Sequence, residues 1–235
     1  TVTLKLYVSN DVADEEDKLG TDIDYLYANA GGSINVYDEG SLELVDVNAG
    51  LEFERDVNIE AENDITVGHV SDPVRVILTS NNGDIIDDGT EDTWVTANNA
   101  SFSAVQGNIG ATSADADIDV DAATISANAL LDIGIEAQSG TFFDGVTSDN
   151  GAVVLLSNGT TYLRDITAAD DVVITNTTGD LVFRGKVESI DSGVTVTSQQ
   201  GSIATEVAGP HIAAKLDSYI NVPNGTITLG GTPLD

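Results

Sequence analysis

The chain has 235 residues, no cysteine, no methionine, and a net charge of −32 from 40 acids against 8 bases. Disulfides and thiolate metal sites are therefore excluded, nucleic acid and anionic lipid surfaces are repelled, and no apolar run reaches the roughly 18 residues needed to span a bilayer. Apolar residues at 41% are too many for a disordered chain, so one large all-β domain is expected.

The first element is residues 1–10, where Val2, Leu4, Leu6 and Val8 alternate with polar neighbours as in a half-buried strand. The acids of 11–17 follow as a loop, and 1–20 is read as an N-terminal strand and acidic loop, a candidate for donation to a neighbour or for capping. Residues 21–235 form the main body. Short strands are expected at 34–37, 42–47, 57–61 and 65–67, and a more continuous apolar run at 74–78 reads as a strand covered on both faces. Asn82-Gly83, Asp88-Gly89, Asn150-Gly151, Asn158-Gly159 and Asn224-Gly225 mark turns. No stretch sustains a helical period for the length of an ordinary helix; 208–216 is the best candidate, and Gly209-Pro210 limits it to a turn or two.

One phrase organises the chain: Gly or Asp, often a small polar residue, then Ile, Leu or Val. Its apolar members are Ile34, Ile65, Ile85, Ile109, Ile133, Val153, Leu181, Ile203 and Ile227. Strand-borne periodicity of roughly 24 residues predicts a parallel β-helix, a β-solenoid of about ten coils. Asn-Gly turns also suit an antiparallel sandwich, but a sandwich has no need for its strands to resemble one another.

Asn82-Gly83-Asp84-Ile85-Ile86-Asp87-Asp88-Gly89, Gly107-Asn108-Ile109-Gly110 and the segment from Asp117-Ile118-Asp119-Val120-Asp121 to Ser126-Ala127 resemble the repeats of large bacterial exoproteins of the filamentous-haemagglutinin type. Thr178-Gly179-Asp180-Leu181 and Gly201-Ser202-Ile203-Ala204-Thr205 are weaker echoes. The resemblance covers roughly residues 60–230. It implies a right-handed parallel β-helix on secreted or surface-attached proteins that act in adhesion and matrix building, and it brings no catalytic residues. No counterpart of that family's secretion domain is present in the sequence.

Among residues that could carry chemistry, Asp115, Asp117, Asp119 and Asp121 share one face of a strand by their period of two. Calcium, which takes several carboxylate and carbonyl oxygens, is the one candidate ion; a solvated outer face is the plainer reading. Asp87-Asp88, Asp170-Asp171 and the 14–17 run are further acidic clusters, of which Asp87-Asp88-Gly89 reads as a turn. Many β-helix proteins cleave polysaccharides, but the Gly-His-Gly and Arg-Ile-Lys settings of the hydrolases do not occur. His69 and His211 are isolated, and Arg184-Gly185-Lys186 is the one local basic pair, expected to pair with acids. Trp94 is the sole tryptophan, and Asn99, Asn158, Asn176 and Asn224 stand in glycosylation sequons. Missing an initiator methionine and a signal peptide, the chain reads as a mature secreted protein or a segment of a larger one.

The expectation is a non-catalytic extracellular or cell-surface protein, a solenoid subunit that polymerises head to tail by strand pairing, with Val2, Leu4, Leu6 and Val8 as assembly residues. No cofactor other than calcium, no nucleic acid and no membrane insertion are expected. A glycan- or host-binding adhesin module is the first alternative and a polysaccharide lyase or hydrolase the second.

Overall fold

The computed structural model describes residues 1–14, 17–50, 56–89, 94–112, 117–206 and 211–228. These residues contain no helix and 23 strands. The early turns hold β1 (Thr3–Val8), β2 (Leu19–Thr21), β3 (Tyr25–Ala30), β4 (Ile34–Asp38), β5 (Leu42–Asn48), β6 (Asp56–Ala61), β7 (Ile65–Ser71), β8 (Arg75–Ser80) and β9 (Ile85–Asp87). Two long strands, β10 (Trp94–Ala104) and β11 (Ile118–Ala129), cross the middle. Then come β12 (Ile133–Ala137), β13 (Phe142–Ser148), β14 (Val153–Ser157), β15 (Thr161–Ala168), β16 (Val172–Asn176), β17 (Leu181–Phe183) and β18 (Val187–Ser189). The last are β19 (Val194–Ser198), β20 (Ile203–Thr205), β21 (Ile212–Ala214), β22 (Tyr219–Asn221) and β23 (Ile227–Thr228).

Every pairing among them is parallel, which rules out the sandwich. One ladder runs β1, β3, β5, β7, then β9 with the start of β10, the start of β11, and β12, β14, β16, β19 and β22. The other runs β2, β4, β6, β8, the ends of β10 and β11, β13, β15, then β17 with β18, β20 with β21, and β23. The chain alternates between ladders and so winds as a β-solenoid of about nine turns with roughly 22-residue spacing. The path is shortest where Leu19 lies beside Val36 and Ile118 beside Ile135, and longest where His69 lies beside Trp94, Val95 beside Val120 and Val187 beside Ile212. On average the coil is slightly tighter than expected.

Period-two alternation points one side chain in two at the axis, and stacking aligns the inward ones. Ile65, Ile85, Ile109, Ile133, Val153, Val172 and Val194 form one such column, all fully buried. Each contributes about 1.5–3 kcal/mol of hydrophobic stabilisation. The repeated phrase marks corners because successive corners approach too closely for a side chain. A Cβ on Gly107 would strike the Gly83 carbonyl, and one on Gly201 the Gly179 carbonyl.

Two local expectations are corrected. Residues 74–78 fall largely in β8, whose half-buried and buried positions alternate, so the strand is covered on one face only. The segment expected to hold a short helical turn contains β21 instead, with 207–210 outside the described residues. Its ladder partner β18, with Val187 beside Ile212, holds it extended.

Candidate functional site

The two ends of the rod are where the pattern stops. β1 pairs on one edge with β3, matching Leu4 to Leu26 and Leu6 to Ala28, so it is the first rung of its own chain's ladder. Leu4 and Leu6 are half-buried against the core, while Val2 and Val8 are exposed. Lys5 lies 4.5 Å over the Tyr27 ring on the outer face. At the other end β21, β22 and β23 each pair with one preceding strand, and Tyr219, Ile220 and Ile227 are exposed. Among the described residues nothing pairs with the outer edges of these end strands, and an unpaired strand edge is a template for further pairing.

The acids have an organised use that their sequence clustering did not reveal. Along one corner the Asp64 carboxylate accepts the Asp84 amide at 2.9 Å, and Asp84 accepts the Asn108 amide at 2.7 Å. Asn108 Oδ1 accepts the Asp132 amide at 3.0 Å, and Asp132 accepts that of Ala152 at 2.8 Å. Asp180 takes the Ser202 amide at 2.9 Å in the same manner. The acid in the repeated phrase is thus a tie between turns. A second tie sits three residues before the corner: Ser80 Oγ donates to the Asn63 carbonyl at 2.7 Å and accepts the Gly83 amide. Ser148 repeats this with Leu131 and Gly151. Ser189 makes the same two bonds with the Asp170 carbonyl and the Ser192 amide, so glycine is not required, and Ser198-x-x-Gly201 has the spacing without the tie.

The acidic strand alternates as expected: Asp117, Asp119 and Asp121 are half-buried on the outside while Ile118, Val120 and Ala122 are buried. Asp115 lies outside the described residues. Asp119 accepts Gln138 Nε2 at 2.6 Å and stands beside Glu136, and Asp121 accepts Ser139 Oγ at 2.6 Å. Burial, with the nearby charge of Asp87, pushes the Asp119 carboxyl above the ordinary carboxylate range; burial, with Asp117 and Asp119, does the same to Glu136. Among the described residues no group of three or more potential ligands is arranged to hold a metal ion.

The remaining candidates disperse. Asp87 accepts the Gly89 amide, and Gly89 has φ +78°, the anticipated turn. His69 Nδ1 lies 3.1 Å from Asp46, in register with Trp94. His211 packs 6.1 Å from Phe183 and contacts the Gly185 carbonyl. Asn176 is fully buried with its amide donating to the Gly179 carbonyl, so a folded chain presents no acceptor there; Asn99 is half-buried, and Asn158 and Asn224 are exposed. Arg184 pairs with Glu206 and stacks 3.8 Å from the Tyr162 ring centroid, Arg164 pairs with Asp144, and Lys186 pairs with Glu188.

A groove of about 620 Å³ flanks the last turns, lined by Asp171, Val173, Ser192, Thr195, Lys215 and Tyr219 among others. The Ser192 hydroxyl and Gly193 amide both donate to the Asp171 carboxylate and hold it below its ordinary range.

No protein-family model, curated protein or solved structure matches this chain. The fold stands on its own geometry: a parallel β-solenoid.

Proposed function

We propose that the chain is a non-catalytic structural subunit of an extracellular or cell-surface fibre, sheath or adhesive filament. Copies stack head to tail, the free edge of β22 and its companions pairing with the free edges of β1 and β2 in the next copy. The observation that carries the reading is the pair of end rungs, beyond which no further strand lies among the described residues: half-buried Leu4, Leu6 and Leu19 at one end, and half-buried Ile212 with exposed Ile220 and Ile227 at the other. They sit on strands of one parallel sense. The likeness to filamentous-haemagglutinin-type repeats supports the same reading. Such an interface is heterologous and does not close, so it propagates. At roughly 4.8 Å per turn a subunit adds on the order of 45 Å to the rod. A net charge of −32 per copy opposes contact, so salt or calcium favours growth by screening or bridging the carboxylates.

Sedimentation velocity and electron microscopy over protein concentration, salt and calcium test this. Filaments or oligomer ladders are the expected outcome; monomers under every condition overturn it. Polarity is tested with two capped variants, Leu4→Asp and Ile220→Asp. Each alone remains monomeric, and their mixture yields dimers and nothing longer, because one intact head meets one intact tail.

A further inference from the structure

Beyond this assembly, we propose that the groove beside the last turns is a binding site for an amino-sugar chain. Its floor is the outward pair Val173 and Thr195 on adjacent rungs, with Tyr219 on the next rung. The inward neighbour Val196 is buried, which fixes this row as the lateral face of the rod. Tyr219 is 63% exposed and gives the groove an aromatic wall of the kind on which the C–H face of a pyranose stacks. The Thr195 and Ser192 hydroxyls and the Asp171 carboxylate lie along the same groove as partners for sugar hydroxyls and ammonium groups. Asp171 is already oriented by two donors and stays ionised, so it needs no rearrangement to accept another.

Charge selects among sugars. Asp171 and Asp217 line the groove, and Lys215, its one cation among the described residues, is paired at 2.6 Å with Asp191. The local field is therefore negative, which repels uronate and sulfate sugars and attracts protonated amines.

The test is calorimetric titration of the intact chain at about 0.15 M salt, a screening length near 8 Å, with three probes: β-1,4-linked glucosamine oligomers, their N-acetylated counterparts, and galacturonate oligomers. The expected result is saturable binding of the glucosamine oligomer near one site per chain and none of galacturonate. Tyr219→Ala weakens it at least about tenfold. Thr195→Arg, which fills the groove from its floor, abolishes it; circular dichroism of both variants confirms the fold. Equal affinity in wild type and both variants overturns the site, because cation condensation over the whole acidic surface then accounts for binding. Binding of the N-acetylated oligomer alone overturns the amino-sugar assignment, and binding of none of the three overturns the proposal.

Discussion

The two halves of the solenoid keep the same core and bend different ladders to do it. In the N-terminal half the ladder of β5 and β7 turns a corner within each strand, at Val45 and Gly68, while β6 and β8 run straight. In the C-terminal half β12, β14 and β16 are straight, and the other ladder bends inside β13 and β15, at Gly145 and Asp165. The exchange occurs across β10 and β11, the two longest of the described strands. The interior follows suit. The largest buried side chains are aliphatic through β8, whereas Phe102, Phe143 and Phe183 appear from β10 onward. The cross-section is conserved by moving the corner and refilling the space behind it.

Breaking the core tests whether that refilling matters most. Phe143 is fully buried between Ile125 and Leu163 of adjacent turns. Phe143→Ala is expected to cost about 3–5 kcal/mol, against about 2–5 kcal/mol for Leu78→Ala in the aliphatic half. Urea denaturation followed by circular dichroism measures both. Because each turn contacts only its neighbours, Phe143→Ala should also split the transition, the C-terminal turns melting first.

The two bends use glycine for different reasons, and this is the next largest effect. At Gly68 a Cβ would lie 2.8 Å from the Leu44 carbonyl, so the obstacle is contact. At Gly145 nothing stands within 4 Å, but φ is +75°. Gly68→Ala should cost about 1–3 kcal/mol by overpacking and Gly145→Ala about 1–2 kcal/mol by left-handed strain. Asparagine separates the causes, since it tolerates positive φ but is larger. Gly145→Asn should be milder than Gly145→Ala, and Gly68→Asn worse than Gly68→Ala, in the same denaturation assay. The reverse order at either site would reassign that bend.

A separate shift of corners, away from β10 and β11, is what the sequence half revealed. The two longest gaps in the repeated phrase run from Ile34 to Ile65 and from Val153 to Leu181. Ile34 belongs to the β4 ladder, the series from Ile65 to Val153 to the other, and Leu181, Ile203 and Ile227 to the first again. Each long gap is a jump of the glycine corner from one ladder to the other. The period exposed the solenoid because close corner contacts demand glycine in a recurring place. It concealed the jump because both corners use the same residues. The face shared by Asp117, Asp119 and Asp121 was legible from alternation alone, whereas the ties made by Asp84, Asn108 and Asp132 required knowing which turn lies above. The groove at Tyr219 was not legible, since its lining comes from separate turns of the coil.

A pH series separates two corner acids, one in each half, by sign. Asp72, at the corner between β7 and β8, is buried, and its Oδ2 has no hydrogen-bond partner while Oδ1 accepts the Val74 and Arg75 amides. Burial, aided by the charge of Asp56, raises its carboxyl above the unfolded value. The folded state then holds the proton more tightly, so this group costs stability above its folded pKa and the cost is relieved as pH falls through it. Asp171 is the opposite case: its pKa is lowered, so its contribution is present above the unfolded value and lost as pH falls through the folded one. Relative to wild type, Asp72→Asn should raise the thermal midpoint at pH 7 and Asp171→Asn lower it, both differences shrinking as the solution is acidified. A lowered midpoint for Asp72→Asn at pH 7 would show that the buried carboxylate is not a cost.

The smallest expected difference is between ion pairs. Arg164 and Asp144 form a two-contact pair across adjacent turns, with Nε at 2.6 Å from Oδ1, but the arginine side chain is 48% exposed. Lys18 meets Glu60 through a single nitrogen at 2.7 Å, yet the two are only 20% and 30% exposed, and Asn81 from the next turn also donates to Glu60. Geometry favours the first pair and shielding the second. Exposed pairs are worth about 0–1 kcal/mol and are screened by salt. Double-mutant cycles at about 0.05 M and about 1 M salt should therefore show the Arg164–Asp144 coupling fading while the Lys18–Glu60 coupling persists. If both fade alike, the N-terminal pair is open to solvent despite its cover, and shielding is no distinction between the halves.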